Sequence, residues 1–172
     1  LNTLPDWIKI GMTEKEIKAR LEHEYLKIGE PSFETIIASC VHSADPHHNT
    51  SQKKIKKGVL LIDTGVRINQ MCSDITWTFW VGSKPPEQFI KAYSILLKAK
   101  EISLEYYKDG EKNCTPALKC REYLRKEGYN PDELFIHGLG HSIGFQVHDV
   151  GARISKSVSK EEILKENMVY SN

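Results

Sequence analysis

The pattern of apolar and polar positions predicts three helices. The first begins at a capping box, Thr13-Glu14-Lys15-Glu16. Apolar residues then recur every fourth position on one helical face, at Ile17, Leu21 and Tyr25. Two longer helices are predicted over residues 85–109, opened by a Pro-Pro pair, and over residues 115–128, opened by Thr-Pro.

Shorter runs of β-branched and apolar residues predict strands. The predicted strands cover residues 33–41, 59–62, 73–81, 135–137 and 144–148, and one more begins at 167–172. Residues 43–49 and 66–70 are expected to form a loop and a turn, and residues 159–162 a short helical turn. Because strands and helices do not alternate regularly, the pattern favours an α+β fold over a doubly wound sheet.

Length and composition indicate one globular domain over residues 1–172, with 40% hydrophobic and 27% charged residues. A net charge of +1 gives no reason to expect nucleic acid or an anionic membrane as a partner. The lysine cluster at 53–57 is interpreted as a solvated connection. The four cysteines lack zinc-finger spacing, which favours reduced thiols in a cytoplasmic protein. The chain opens with Leu1, so we expect a fragment or a processed product.

Two carboxylates are the most informative residues of the chain. Asp63 and Asp74 lie eleven residues apart in apolar strands, where a buried carboxylate is costly unless a positive group pairs with it. Antiparallel pairing across the turn would bring them to one site, and His141, in a glycine-rich segment, would complete a divalent-metal site. The competing interpretation is that both aspartates cap turns beside Gly65 and Ser73.

These segments resemble the pita-bread metallopeptidase superfamily, which includes methionine aminopeptidase, aminopeptidase P, prolidase and creatinase. The resemblance is greatest to the prolidase (Xaa-Pro dipeptidase) and aminopeptidase P branch. It rests on Leu61-Ile62-Asp63-Thr64-Gly65, Cys72-Ser73-Asp74-Ile75-Thr76, His137-Gly138-Leu139-Gly140-His141 and Val147-His148-Asp149, with weaker markers at Ile10-Gly11-Met12-Thr13-Glu14 and Ala44-Asp45-Pro46-His47. It implies a curved, mainly antiparallel sheet covered by helices.

The resemblance also implies roles for individual residues. Asp63, Asp74 and His141 would bind two divalent ions (Mn, Co or Zn), with Asp74 bridging them, and the shared hydroxide would attack the peptide. His47 and His148 would be catalytic and would contact the substrate, and His137 would contact it as part of the pocket lining. His48 competes with His47 for its role.

The family takes two further metal ligands from C-terminal glutamates. Met168-Val169-Tyr170-Ser171-Asn172 resembles the segment that carries the first of them and ends one residue before it. We therefore expect a domain that is incomplete at its C-terminus, with weak or absent metal binding by this chain alone.

The expected function is that of an exopeptidase that cleaves the bond before proline in Xaa-Pro dipeptides or short peptides. A short peptide is then the expected partner, and the resemblance implies a homodimer. Two alternatives stay open: a non-catalytic module that binds a peptide or protein, and an enzyme similar to methionine aminopeptidase. Retention of Asp63, Asp74 and His141 favours an enzyme over a binding module.

Overall fold

The computed structural model describes residues 4–172, apart from the side chain of Pro5. The chain folds into two compact units. Unit 1 comprises the described part of Leu1–Pro85 together with Phe145–Val147, and unit 2 comprises Pro86–Gly144 and His148–Asn172. One domain over residues 1–172 stays a prediction.

Unit 1 contains two antiparallel sheets and two helices. Its elements are α1 (Leu4–Trp7), α2 (Glu14–Tyr25), β1 (Glu30–Pro31), β2 (Ile36–Ser39), a 3₁₀ helix (Cys40–Ala44), β3 (Gly58–Thr64), β4 (Val66–Ile68), β5 (Met71–Cys72) and β6 (Ile75–Val81). The strand orders are β2-β3-β6 in one sheet and β1-β4-β5 in the other.

Strand β3 lies at the centre of its sheet, and alternate residues of β3 are buried. Leu60 and Ile62 are fully buried and pack with Ile17 and Leu21 of α2 and with Ile37 of β2. Because successive side chains of a strand point to opposite faces, Asp63 lies on the face away from this core. The core therefore fixes which way the Asp63 side chain points.

Helix α2 begins as its sequence predicts. The Thr13 hydroxyl accepts a hydrogen bond from the Glu16 N–H at 3.1 Å, and the Glu16 carboxylate accepts one from the Thr13 N–H at 2.6 Å. These reciprocal bonds satisfy two of the amide donors that a helix N-terminus leaves without partners. The predicted capping box is confirmed.

Two predictions in unit 1 need correction. The strand expected over residues 33–41 is confined to Ile36–Ser39, because Cys40 has a φ of 52° and the chain turns into the 3₁₀ helix. The turn expected over residues 66–70 is instead a hairpin of β4 and β5 closed by Asn69 and Gln70, whose φ values are 49° and 70°. Two consecutive left-handed residues match the twist of a tight hairpin.

Unit 2 is mainly helical. Its elements are α3 (Glu87–Leu104), α4 (Thr115–Lys126), α5 (Pro131–Leu134), β7 (Gly140–His141) and β8 (Arg153–Ile154). Ile95 and Ala99 of α3 pack with Cys120 and Leu124 of α4. The two long predicted helices are confirmed, although both end before the residues expected. No helix within residues 4–172 is long and apolar enough to cross a membrane.

Three predicted elements in the second half of the chain are wrong. Residues 135–137 form no strand, because the buried Arg121 guanidinium donates to the carbonyl oxygens of Phe135 and His137. Residues 144–148 form bends rather than a strand, since the Asp149 N–H donates to the Ser142 carbonyl and closes the segment.

The helical turn predicted over residues 159–162 is the third error. The backbone there is instead bound by residues 112 and 113. The Asn113 N–H donates to the Glu162 carbonyl at 2.9 Å, and Lys112 forms a β-bridge with Ile163. The strand expected to begin at 167–172 is reduced to an isolated bridge between Ser142 and Tyr170. At residues 135–137 and 159–162, hydrogen bonds to distant residues prevail over the local pattern.

We expect the substitution Ile62→Ala to destabilise the fold by about 2–5 kcal/mol, because it leaves a cavity in a fully packed site. The matched control is Ile75→Ala in the same sheet, where the side chain is 42% exposed and the loss should be below about 1 kcal/mol. Denaturant unfolding measures both changes. Equal losses would contradict this assignment of the core.

Candidate active site

Asp63 lies on β3, whereas Asp74 lies one residue before β6, the strand that pairs with β3; the strand predicted over residues 73–81 begins only at Ile75. Asp63 pairs with Thr76, whose hydroxyl donates to Asp63 Oδ1 at 2.7 Å. Asp74 comes two residues before Thr76, at the position diagonal to Asp63 in this register. Diagonal positions of an antiparallel pair are neighbours, so the predicted antiparallel pairing of these two segments is confirmed.

The expectation that these carboxylates are buried is wrong. Asp63 and Asp74 are both half-buried. The reason is the alternation of β3, which turns Leu60 and Ile62 to the core and leaves Asp63 on the opposite face. A half-buried carboxylate keeps part of its hydration, so its desolvation cost is smaller than the sequence pattern suggested.

His141 lies on β7 of unit 2, and its backbone N–H and carbonyl are both hydrogen-bonded. Its N–H donates to Ser171 Oγ at 3.0 Å, and its carbonyl accepts from the Ser171 N–H at 2.9 Å. The ring Nδ1 is 3.0 Å from the Ser142 carbonyl oxygen, which can only accept, so Nδ1 carries the proton. In the neutral ring the lone pair is then on Nε2, the state that a metal-binding histidine commonly has.

The other two histidines predicted in unit 2 are exposed. The ring of His148 lies 4.0 Å from that of His141, measured between centroids. His137 packs edge-on against Phe135 at 4.8 Å, and its Nδ1 donates to the Gly138 carbonyl at 2.7 Å. The structure thus brings the rings of His141 and His148 together.

The adjacent residues His47 and His48 have different surroundings. His48 Nε2 donates to Glu14 Oε2 at 2.9 Å, and its side chain is only 11% exposed. His47 is exposed, and its backbone N–H donates to Asp45 Oδ1 at 2.9 Å. Because the His48 ring is held by Glu14, this difference favours His47 as the residue that faces a substrate.

Sequence reasoning missed the cluster around Glu14. This carboxylate is fully buried and accepts hydrogen bonds from Ser39, His42, His48 and Ser51. Burial by itself would raise the pKa of the Glu14 carboxyl, but the hydrogen bonds, of which that from His48 lowers it most, bring it from 4.5 to about 2. The partners lie 25–37 residues away along the chain, so the only signal was the Gly-Met-Thr-Glu marker.

The predicted metal ligands suit divalent ions by their chemistry. Two carboxylates and an imidazole with its lone pair on Nε2 form an oxygen- and nitrogen-donor set of the kind that Mn, Co and Zn accept. Asp63 and Asp74 belong to unit 1, whereas His141 belongs to unit 2. Their convergence on shared ions stays a prediction, as do the roles of His47, His137 and His148.

Comparison with known proteins defines the class. Residues 1–172 match metallopeptidase family M24, and the chain belongs to this family. Its fold is the α+β pita-bread fold of prolidases and aminopeptidases, as the antiparallel sheets and the solved structures below show. The predicted fold class and the resemblance to this superfamily are confirmed.

Three relatives illustrate the degree of similarity. An Xaa-Pro dipeptidase of Pyrococcus furiosus is 39% identical over 94% of this chain and 45% of the relative. Among solved structures, X-Pro aminopeptidase from Thermotoga maritima is 37% identical with a TM-score of 0.86, covering 96% of this chain and 46% of that one. A dipeptidase from Pyrococcus horikoshii is 33% identical with a TM-score of 0.90, covering 98% and 46%. The chain thus spans about half the length of the relatives it matches.

Acid should weaken the fold through Glu14. Its pKa is lower in the folded chain than the ordinary 4.5, so the stabilisation is present above about pH 4.5 and is lost as the pH falls towards about 2. A pKa difference of this size corresponds to about 3 kcal/mol. The polar and charged side chains around the carboxylate are His42, His48 and Lys53, with Ser39 and Ser51.

The measurement is urea unfolding across this pH range for the wild type and for Glu14→Gln, which cannot titrate. We expect the difference in free energy of unfolding between the two proteins to shrink by about 3 kcal/mol on acidification. Other carboxylates titrate in both proteins and cancel in the difference. A constant difference would show that Glu14 does not carry a lowered pKa.

Proposed function

We propose that the chain is part of a metal-dependent exopeptidase that hydrolyses the bond before proline in Xaa-Pro dipeptides or short peptides. The observation that carries the proposal is the similarity, over nearly the whole chain, to proteins named Xaa-Pro dipeptidase and X-Pro aminopeptidase. The names of these relatives also favour this activity over that of methionine aminopeptidase.

In this proposal Asp63, Asp74 and His141 hold two divalent ions, which are Mn, Co or Zn. When bound, such ions activate water and polarise the carbonyl group of the peptide. The hydrogen bond from Thr76 to Asp63 orients that carboxylate, and the bond from His141 Nδ1 to the Ser142 carbonyl fixes the ring with Nε2 as the ligand atom. These contacts support the assignment because they pre-orient the donor atoms.

The proposed roles of the remaining histidines are to bind and orient the peptide. His47 and His148 are exposed and carry N–H groups that can donate to the carbonyl oxygen on which negative charge develops. His137 would line the pocket and contact the substrate. A neutral imidazole serves here because it donates a hydrogen bond without adding a charge to the site.

The proposed setting is a homodimer in the cytoplasm that acts on short peptides. All four cysteines are free thiols, which is typical of proteins in a reducing compartment. The homodimer rests on the family resemblance alone.

The decisive experiment uses the complete gene product that contains this chain, loaded with Mn²⁺ or Co²⁺. We expect it to release free proline from Xaa-Pro dipeptides, and we expect Asp63→Asn to lower kcat/KM by about 100-fold or more, because a metal ligand is lost. Asp109→Asn, which changes an exposed aspartate outside the proposed site, is the matched control and should leave the rate unchanged.

Other outcomes of this assay separate the alternatives. Hydrolysis of Met-Ala-Ser with no action on Xaa-Pro would indicate an enzyme of the methionine aminopeptidase type. Binding of a peptide without hydrolysis by the metal-loaded wild type would indicate a non-catalytic module. Either result would refute the proposed activity.

Metal affinity of this chain tests the ligands without relying on catalysis. In calorimetric titration with Mn²⁺ we expect weak binding, which Asp74→Asn lowers by about 10-fold or more because the bridging carboxylate is lost. Asp109→Asn again serves as the control. Binding that is unaffected by Asp74→Asn would remove this residue from the metal site.

A further inference from the structure

The buried cluster around Glu14 has no role in the proposed chemistry, yet it holds together the segment that carries His47. We propose that Glu14 is a positioning residue, which sets the place of His47 by binding both ends of residues 39–51 through one carboxylate. This inference rests on the proposed function, because it assigns His47 to the substrate.

Each oxygen of the carboxylate binds a different part of the segment. Glu14 Oε1 accepts from the N–H and hydroxyl of Ser39, at 3.0 and 2.7 Å, and from His42 Nδ1 at 3.0 Å. Glu14 Oε2 accepts from the N–H and hydroxyl of Ser51, at 3.1 and 2.7 Å, and from His48 Nε2 at 2.9 Å. One fixed group therefore clamps the beginning and the end of the segment.

The anchor is itself rigid. Glu14 is the first residue of α2 and is fully buried, and its N–H donates to the Lys53 carbonyl at 3.0 Å. The next residue of the helix, Lys15, donates its N–H to the Ser51 carbonyl at 3.1 Å. The backbone at the start of α2 and the Glu14 side chain thus both bind residues 51–53. These bonds restrict how residues 39–51 can move.

His47 is bonded directly to an anchored neighbour. The His48 ring is held by Glu14 and lies 4.1 Å from the His42 ring, measured between centroids. The His47 N–H is fixed by Asp45 Oδ1 at 2.9 Å, and the His47 side chain is exposed. A constrained backbone beneath an exposed imidazole is what a substrate-contacting group requires.

Glu14, His42 and His48 also place three ligand-type atoms within 4.8 Å of one another. Two observations argue against a cation there. Both rings face the carboxylate through nitrogens that lie at hydrogen-bond distance, and Lys53 Nζ is 3.4 Å from His42 Nε2. The lysine donates to that nitrogen, which leaves the proton on Nδ1, and its positive charge would repel a divalent ion.

The test compares Glu14→Gln, His47→Ala and the double variant in the complete gene product, assayed with an Xaa-Pro dipeptide. The glutamine keeps the shape but turns one acceptor oxygen into an amide donor that faces other donors. We expect Glu14→Gln to lower kcat/KM by about 100-fold, as misplacement of a catalytic group can. In the His47→Ala background it should have little further effect, because the two residues act as a unit.

A control separates positioning from loss of stability. Leu21→Ala removes a buried side chain from the same helix and should lower the melting temperature without lowering kcat/KM, when every variant is assayed well below its melting temperature. Glu14→Asp keeps the charge and should recover part of the activity. Equal activity losses in Leu21→Ala and Glu14→Gln, or additive effects of Glu14→Gln and His47→Ala, would overturn the inference.

Hydrogen–deuterium exchange provides a readout that does not depend on catalysis. Exchange over residues 40–50 should rise in Glu14→Gln while Gly58–Thr64 stays protected, and this result would support the clamping of residues 39–51 by Glu14 even if the wild type failed to hydrolyse Xaa-Pro peptides. Unchanged exchange over residues 40–50 would overturn it. Loss of a bound Zn²⁺ from Glu14→Gln, with Asp63 and Asp74 intact, would also overturn it, because the cluster would then be a metal site.

Discussion

The antiparallel ladder between β3 and β6 is the constraint on which unit 1 depends. Its register places Asp63 opposite Thr76 and sets Asp74 at the diagonal position. The same ladder turns Leu60 and Ile62 into the core. A slip of one residue would exchange these two faces. Burial of the apolar side chains and exposure of the Asp63 carboxylate therefore depend on the same strand register.

Each unit also uses one buried charge to hold an irregular segment. In unit 1 the Glu14 carboxylate collects donors from residues 39–51, and in unit 2 the Arg121 guanidinium donates to the carbonyls of Pro131, Phe135 and His137. Irregular backbone cannot satisfy its own polar groups, and a buried ion needs several partners. In each unit the buried charge gains several partners, and the polar groups of the irregular backbone gain a partner as well. The segment in unit 1 carries His47 and that in unit 2 carries His137, both residues of the proposed site.

Much of the regular structure could be predicted from local pattern. The capping box at Thr13, the helices α3 and α4, and the pairing of the two aspartate segments follow from periodicity and caps, which act over a few residues. The failed elements at residues 135–137 and 159–162 share a different cause. Their backbone groups bind residues outside the segment itself, such as Arg121 and Asn113, and no local pattern records such partners.

The sequence by itself determined the family, the α+β class and the residues proposed for metal and substrate, because these depend on the order and spacing of motifs. It could not reveal the different surroundings of His47 and His48, the exposure of Asp63, or the existence of the Glu14 cluster. These depend on which side chains meet after folding: the His48 ring is held by Glu14, 34 residues away, and Asp63 faces away from a core that other segments complete. Contacts of this range arise from packing and hydrogen bonding in three dimensions, and only the tertiary structure decides them.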